Sequence, residues 1–200
     1  MNYIKFLYPI FVDLDGTLLK KSTTTILLCE AFKQKKIQVL FMFFCMILIN
    51  QRHIAKSILT RNIKISEIVL NKIEMNINKD VLNFIITAKN RGYRIYLATG
   101  ANEIIANEII NLIHRKIEIF DGFIASNNYH NTVSTQKLQE IIKISDTQGF
   151  IYLGNAFQDI PIWKKAKLGI IVQPSFILKL YIKSMQFYKG ILFLSQVTKL

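Results

Sequence analysis

Short apolar runs alternate with stretches of helical period along most of this chain. That alternation leaves one fold class open, a parallel sheet wrapped on both faces by helices. Residues 8–12 read as a first buried strand. A long helical-looking region follows over about 24–77, with Ser22 to Thr25 and Ser66 as N-cap candidates. Next comes a helix from about Lys79, whose Val81, Leu82, Ile85 and Ile86 share one face and which Gly92 ends as a C-cap. Residues 93–98 are expected to form a strand, 102–114 a helix with Ile105, Ile109, Leu112 and Ile113 at helical spacing, and 117–125 a third strand. A helix over 135–144, a strand over 150–153, a helix over 159–166 and a strand over 168–172 bring the count to five strands. No internal repeat and no Gly/Ser/Pro-rich linker interrupts them.

Two hundred residues suffice for one well-cored domain with a small inserted lobe, and a hydrophobic share of 51% argues against disorder. Cys29 and Cys45 have neither a metal-ligand nor a redox spacing and read as two reduced, buried thiols of a cytosolic protein. The N-terminal apolar stretch runs straight into Asp13 and Asp15, as a core strand does and a signal peptide does not. The net charge of +13 is unevenly spread. Residues 16–66 hold nine Lys/Arg against one acid, Glu30, and residues 160–200 hold seven lysines and no acid. No nucleic-acid motif accompanies this charge, so nucleic acid is not an expected partner.

Two segments do not fit a plain α/β core. Residues 37–49 contain one polar residue, Gln38. As a helix they would extend about 20 Å, short of the ~30 Å hydrocarbon core of a bilayer. Two readings compete, a buried helix of the insertion and a helix lying on a membrane or partner. After Pro174, residues 176–188 are mostly apolar, with a polar stripe of Lys179, Lys183 and Gln186. This basic amphipathic segment suits a membrane surface, a protein partner or packing on its own domain.

The residues richest in chemical meaning are Asp13-Leu14-Asp15-Gly16-Thr17. They end the first strand, and open α/β sheets place their sites at the carboxyl ends of strands. Two carboxylates one residue apart there suit metal-assisted phosphoryl chemistry. One attacks phosphorus while the second, facing the other way, handles protons. A carboxylate approaching a phosphate to ~4 Å is repelled by ~1 kcal/mol in water and ~4 kcal/mol at an effective dielectric of about 20. Such chemistry needs a cation and hydrogen-bond donors around the phosphoryl oxygens. Thr99, after the strand over 93–98, can donate its hydroxyl. Lys137 opens the helix after the third strand and can neutralise charge. Residues 154–159, ending in Asp159, offer oxygen ligands for Mg²⁺. Singly, Thr99 and Asp159 read as helix caps and Lys137 as a solvated lysine; their order after successive strands is what marks a site. His53, His114 and His130 stand at no telling spacing and receive no role.

Taken together, Phe11 through Leu19, Leu97-Ala98-Thr99-Gly100, Thr135-Gln136-Lys137-Leu138 and Tyr152-Leu153-Gly154-Asn155 through Asp159 resemble the four motifs of the haloacid dehalogenase-like (HAD) hydrolases, in order, over about residues 8–175. The resemblance implies an α/β fold: a Rossmann-like parallel five-stranded sheet with helices on both faces and a small helical type I cap inserted after the first strand. The core would comprise residues 1–20 and 78–175, the cap 21–77, and a basic tail 176–200. Asp13 would be the nucleophile forming an aspartyl-phosphate. Asp15 would protonate the leaving oxygen and then activate water, and Thr99 and Lys137 would hold the phosphoryl group. Mg²⁺ would sit between the Asp13 carboxylate, the Asp15 backbone carbonyl and the fourth motif, at Asn155 and Asp159. One departure is plain: the family usually has aspartate where Asn155 stands, and an amide oxygen brings no charge to a hard dication.

The segment from Gly154 to Ala166, with Val172-Gln173-Pro174-Ser175, further resembles the HAD domain at the N-terminus of some bacterial UbiA-type prenyltransferases, membrane enzymes acting on polyprenyl phosphates. That likeness ends where their membrane domain would begin, so the chain reads as a stand-alone relative or a truncated frame. The expected function is a Mg²⁺-dependent phosphomonoesterase, cytoplasmic or peripheral on the inner face of the membrane, acting on a polyprenyl-linked or other lipid phosphate. Two other readings stay open. One is a soluble phosphatase for small metabolites, like the phosphoserine phosphatases that share the cap type. The other is a non-catalytic module that partners a prenyltransferase, for which Asn155 and the basic tail speak.

Overall fold

A computed structural model of the chain describes residues 8–127, 132–145, 149–184 and 190–197. His130 and the Gln186 end of the expected tail helix lie outside them. β1 (Ile10–Val12) leads into four helices, α1 (Thr23–Lys33), α2 (Ile37–Leu48), α3 (Arg52–Asn62) and α4 (Glu67–Met75), before α5 (Lys79–Asn90) returns the chain to β2 (Ile95–Asn102). Next come α6 (Glu103–His114), β3 (Gly122–Ser126), α7 (Thr135–Ser145) and β4 (Ile151–Gly154). A 3₁₀ turn (Phe157–Asp159), α8 (Ile160–Trp163), β5 (Leu168–Ile171), α9 (Phe176–Ser184), β6 (Ile191–Phe193) and α10 (Leu194–Val197) follow.

The strands are parallel, in the order β3-β2-β1-β4-β5-β6. The sheet therefore has six strands and not the expected five. The sixth pairs Gly169 with Ile191 at the edge, in a stretch read as tail. Its three residues are too few to show a period of two. Winding reverses at β1, with β2 and β3 on one side and β4 to β6 on the other. This leaves a crevice at the carboxyl ends of β1 and β4.

Alternation along each strand sorts side chains between two cores. Ile10, Val12, Leu97 and Leu153 join the apolar faces of α1 to α6. Phe11, Ala98, Ile124 and Tyr152 face Ile141, Ile162, Trp163 and Leu178 on the other side. The four-helix insertion is stitched at its neck: the Asn78 N–H donates to the Leu18 carbonyl at 2.8 Å, and the Lys20 N–H to the Asn76 carbonyl at 2.9 Å. The Ser22 hydroxyl caps α1 by accepting from the Thr24 N–H at 3.2 Å. Ser66 stands at the N-cap of α4 without a side-chain hydrogen bond there. Gly92, at φ +89°, follows the end of α5. His114 is structural, its Nε2 accepting the N–H groups of Ile119 and Phe120. Both cysteines are free thiols, but neither is buried: Cys45 is partly exposed, and Cys29 is exposed because it lies on the face of α1 away from Ile26, Leu27 and Ala31. Among the described residues no helix is long and apolar enough to cross a membrane.

Candidate active site

Asp13 follows β1 directly, and its N–H extends the ladder by donating to the Leu153 carbonyl at 2.9 Å. The period of two puts its side chain on the Phe11 and Tyr152 face of the sheet, the face that α7 covers. Lys137, in the first turn of α7, reaches it from there. Its Nζ donates to Asp13 Oδ1 at 2.7 Å and to the Tyr152 hydroxyl at 3.0 Å. Tyr152 in turn donates to Asp159 Oδ1 at 2.7 Å. The remaining Asp159 oxygen accepts the Asn155 and Ala156 N–H groups, each at 3.0 Å. Two carboxylates, an ammonium and a phenol thus form one buried chain, with Asp13, Lys137 and Asp159 only 7%, 5% and 3% exposed.

Burial pushes the Asp13 carboxyl up to about 7; Lys137 pulls it down, and Asp159 and Asp15 add to the rise. Burial alone would lower Lys137, but Asp13 and Asp159 outweigh it and hold the ammonium above its usual value. Burial, with Asp159 and Asp13 close by, raises Tyr152 well above 10.0, so it remains a neutral phenol.

Asp15 lies across the turn from this chain. Its carboxylate accepts the Thr23 N–H at 2.7 Å and the Thr23 hydroxyl at 3.3 Å, tying the turn to the start of α1. Gly16 between them has φ +83°, and a Cβ there would collide with the Asn155 amide. Gly16→Ala is therefore expected to displace Asn155 and to destabilise the fold by about 1–3 kcal/mol. A urea midpoint unchanged from wild type would contradict this. Thr99 is buried, and its Oγ1 accepts the Ala101 N–H at 2.9 Å, which leaves its own O–H to donate elsewhere. From the insertion, Lys56 of α3 reaches over β2 and donates to the Gly100 carbonyl at 3.0 Å.

All six residues expected from the sequence line one cavity of about 120 Å³: Asp13, Asp15, Thr99, Lys137, Asn155 and Asp159. This is well below the ~300–1,000 Å³ of ordinary small-molecule clefts and suits a phosphoryl-sized group. Lys56 also lines it and was not anticipated, since nothing distinguishes it among the nine basic residues of the insertion. Tyr152 was not anticipated either. A tyrosine within a strand read as buried is the signal that was available, because a buried phenol needs a partner.

Among the described residues, no three His, Cys, Asp or Glu side chains converge as a metal-binding group. The residues lining the cavity that offer oxygen donors suited to a hard dication are Asp13, Asp15, Asn155 and Asp159. Three carboxylates, of Asp13, Asp15 and Asp159, face two ammonium groups, of Lys56 and Lys137, so ionised side chains leave one negative charge over. That set fits Mg²⁺. Both Asp159 oxygens accept hydrogen bonds, so Asp159 also clamps the loop that presents Asn155.

No protein-family model matches the chain. It is 30% identical over 167 residues to the uncharacterized protein y4nM of Sinorhizobium fredii, an alignment covering 82% of this chain and 30% of that protein. The chain thus spans about 30% of the length of the curated relative it matches. A protein of unknown function from Bordetella pertussis Tohama I superposes with a TM-score of 0.68 at 11% identity, covering 94% of this chain and 99% of that one. A HAD family hydrolase from Salmonella enterica serovar Typhi gives 0.60 at 13% identity, covering 87% and 66%. A phosphoserine phosphatase bearing a phospho-aspartyl intermediate analogue gives 0.61 at 20% identity, covering 98% and 99%. The architecture that carries this cavity, an α/β Rossmann-like parallel sheet with helices on both faces, is therefore the fold of HAD-family hydrolases.

Proposed function

We propose that this chain is a HAD-type phosphomonoester hydrolase that works through an aspartyl-phosphate on Asp13. The observation that carries the reading is the buried Asp13–Lys137–Tyr152–Asp159 chain opening on a phosphoryl-sized cavity at the sheet's switch point. Asp13 attacks phosphorus with one carboxylate oxygen as the bond to the leaving oxygen breaks, and Asp15 gives that oxygen its proton. Water then attacks the aspartyl-phosphate, returning a proton to Asp15 and freeing Asp13 and inorganic phosphate. Lys137 and the Thr99 hydroxyl hold the phosphoryl oxygens, and Thr23 fixes the Asp15 carboxyl at the cavity wall. Mg²⁺ held by Asp13, Asn155 and the Asp15 carbonyl would supply charge neutralisation for two anions that otherwise repel.

On this reading the four-helix insertion over residues 21–77 is a cap, joined to the core at Leu18–Lys20 and Asn76–Asn78, and Lys56 is its contribution to substrate binding. Lys56→Ala is expected to raise KM by about 10- to 100-fold, the worth of one charge-assisted hydrogen bond, with a smaller change in kcat. Steady-state kinetics on one soluble phosphomonoester decide it. The substrate is either a phosphorylated small molecule or a lipid-linked phosphate, and the likeness to prenyltransferase-attached domains favours the latter. Phosphate release with Mg²⁺ across a panel of both kinds tests the activity. Asn155 and the clamped Asp159 favour a second reading, a non-catalytic module. Turnover on the order of 1 s⁻¹ or faster would exclude that reading.

A further inference from the structure

We infer that α2 is a docking helix for an anionic membrane surface, lying in its plane with the outer face of the insertion against lipid. The observation is that α2 is apolar on every side while only one side is covered. Val39, Leu40 and Phe43 pack inward on α1 and α3. Ile37, Phe41, Phe44 and Leu48, at spacings of four, three and four residues, form a stripe on the opposite side and are between 50% and 84% exposed. A helix on the surface of a soluble domain carries polar residues there. Gln38 is the only polar residue α2 has.

Charge selects the occupant. Lys33, Lys35 and Lys36 precede the stripe and Arg52 follows it, all exposed. None of the four forms an ion pair among the described residues. The single acid over residues 16–66, Glu30, is buried and engaged by Lys72 at 2.6 Å. An apolar stripe rimmed by exposed cations complements a surface that is apolar inside and anionic at its rim, as anionic phospholipid is. A second copy of this chain would set two lobes of like charge against each other. The helix is 12 residues, about 18 Å, which suits lying in the interface and not crossing it. α9 repeats the pairing, with Phe176, Ile177 and Leu180 exposed beside Lys179 and Lys183. Because α2 packs on α3, which carries Lys56 to the cavity, docking would hold the candidate site close to the lipid headgroups.

The test is co-sedimentation of the full chain with vesicles of phosphatidylcholine containing about one-third phosphatidylglycerol, and with phosphatidylcholine alone. The wild-type protein should pellet with the anionic vesicles at low salt and be released by high salt. Phe41→Asp with Leu48→Asp should weaken binding at least about tenfold, since each aspartate replaces a large apolar side chain. Lys36→Glu with Arg52→Glu should do likewise on anionic vesicles. These reversals place acids at the starts of α2 and α3, where helix dipoles favour them, so folding is retained. Wild-type protein left in the supernatant, or either double variant pelleting as fully as wild type, would overturn the inference. So would a wild-type dimer in the ultracentrifuge that Phe41→Asp with Leu48→Asp dissociates, since the stripe would then belong to a second copy. The pelleting assay reads no turnover, so its outcome is separate from that of the phosphatase reading.

Discussion

Asp13→Asn is expected to lower phosphate release by a factor on the order of 10⁴ or more, the scale seen when a covalent nucleophile is removed. The same variant should nevertheless gain stability relative to wild type as pH rises. Burial pushes Asp13 up to about 7 from an ordinary 3.8, against the pull of Lys137 and with Asp159 and Asp15 adding to it. The folded protein therefore holds that proton more tightly than the unfolded chain does. The stability this contributes is fully present below 3.8 and is lost as pH rises through 7. The full difference is on the order of 4 kcal/mol. Asparagine has no proton to lose. Thermal melts in chelator at pH 5 and pH 8 should thus show the wild-type midpoint falling relative to the variant's. Parallel midpoints would refute the burial argument, and turnover within tenfold of wild type would refute the nucleophile assignment.

Lys137→Ala should be the more damaging change for the fold. The ammonium lies 2.7 Å from Asp13 and 3.8 Å from Asp159, with all three groups buried. Its removal leaves two carboxylates unpaired in the interior, at a cost of about 3–5 kcal/mol. Phosphate release should fall on the order of 10²- to 10³-fold in whatever fraction remains folded, since a preorganised cation at the phosphoryl oxygens is lost. The diagnostic measurement is the double variant. If the penalty is electrostatic, adding Asp13→Asn to Lys137→Ala should recover part of the stability, because one of the stranded charges disappears. Urea denaturation of the two single variants and the double variant, in one buffer, yields the coupling directly. Additive losses would show that Lys137 acts through packing of its stem on Tyr152 instead.

Much of this molecule was legible before any tertiary structure. The strand-helix alternation, the Ser22 cap, the glycine after α5 and the stop of the first strand at Asp13 are local matters, decided by periods of 2 and 3.6 residues and by backbone freedom. Asp13, Asp15, Thr99, Lys137, Asn155 and Asp159 could be picked out because each was read as following a strand, although β2 runs on to Asn102 and contains Thr99, and parallel strands end at a common edge. The sixth strand was not legible, since Ile191–Phe193 is too short to carry a pattern and is defined by its partner β5. Nor was the division of residues 24–77 into four helices, or the outward stripe of α2. An all-apolar helix does not reveal from its own residues which face its neighbours will cover.

The distribution of roles within the site divides along the same line. Neighbouring residues suffice to end the first strand in two carboxylates, with a glycine between that strand and the insertion. That is short-range information. What each carboxylate meets depends on elements far away along the chain. Asp13 shares the sheet face that α7 covers, so Lys137, 124 positions away, becomes its ion-pair partner and Tyr152 relays the contact to Asp159. Asp15 turns instead to Thr23 at the start of the insertion, and Lys56, 44 positions from Gly100, is brought over the cavity by the packing of α3 on the end of β2. A period of two tells which side of a sheet a residue faces. Which helix closes that side is settled by burial of apolar surface summed over the whole chain.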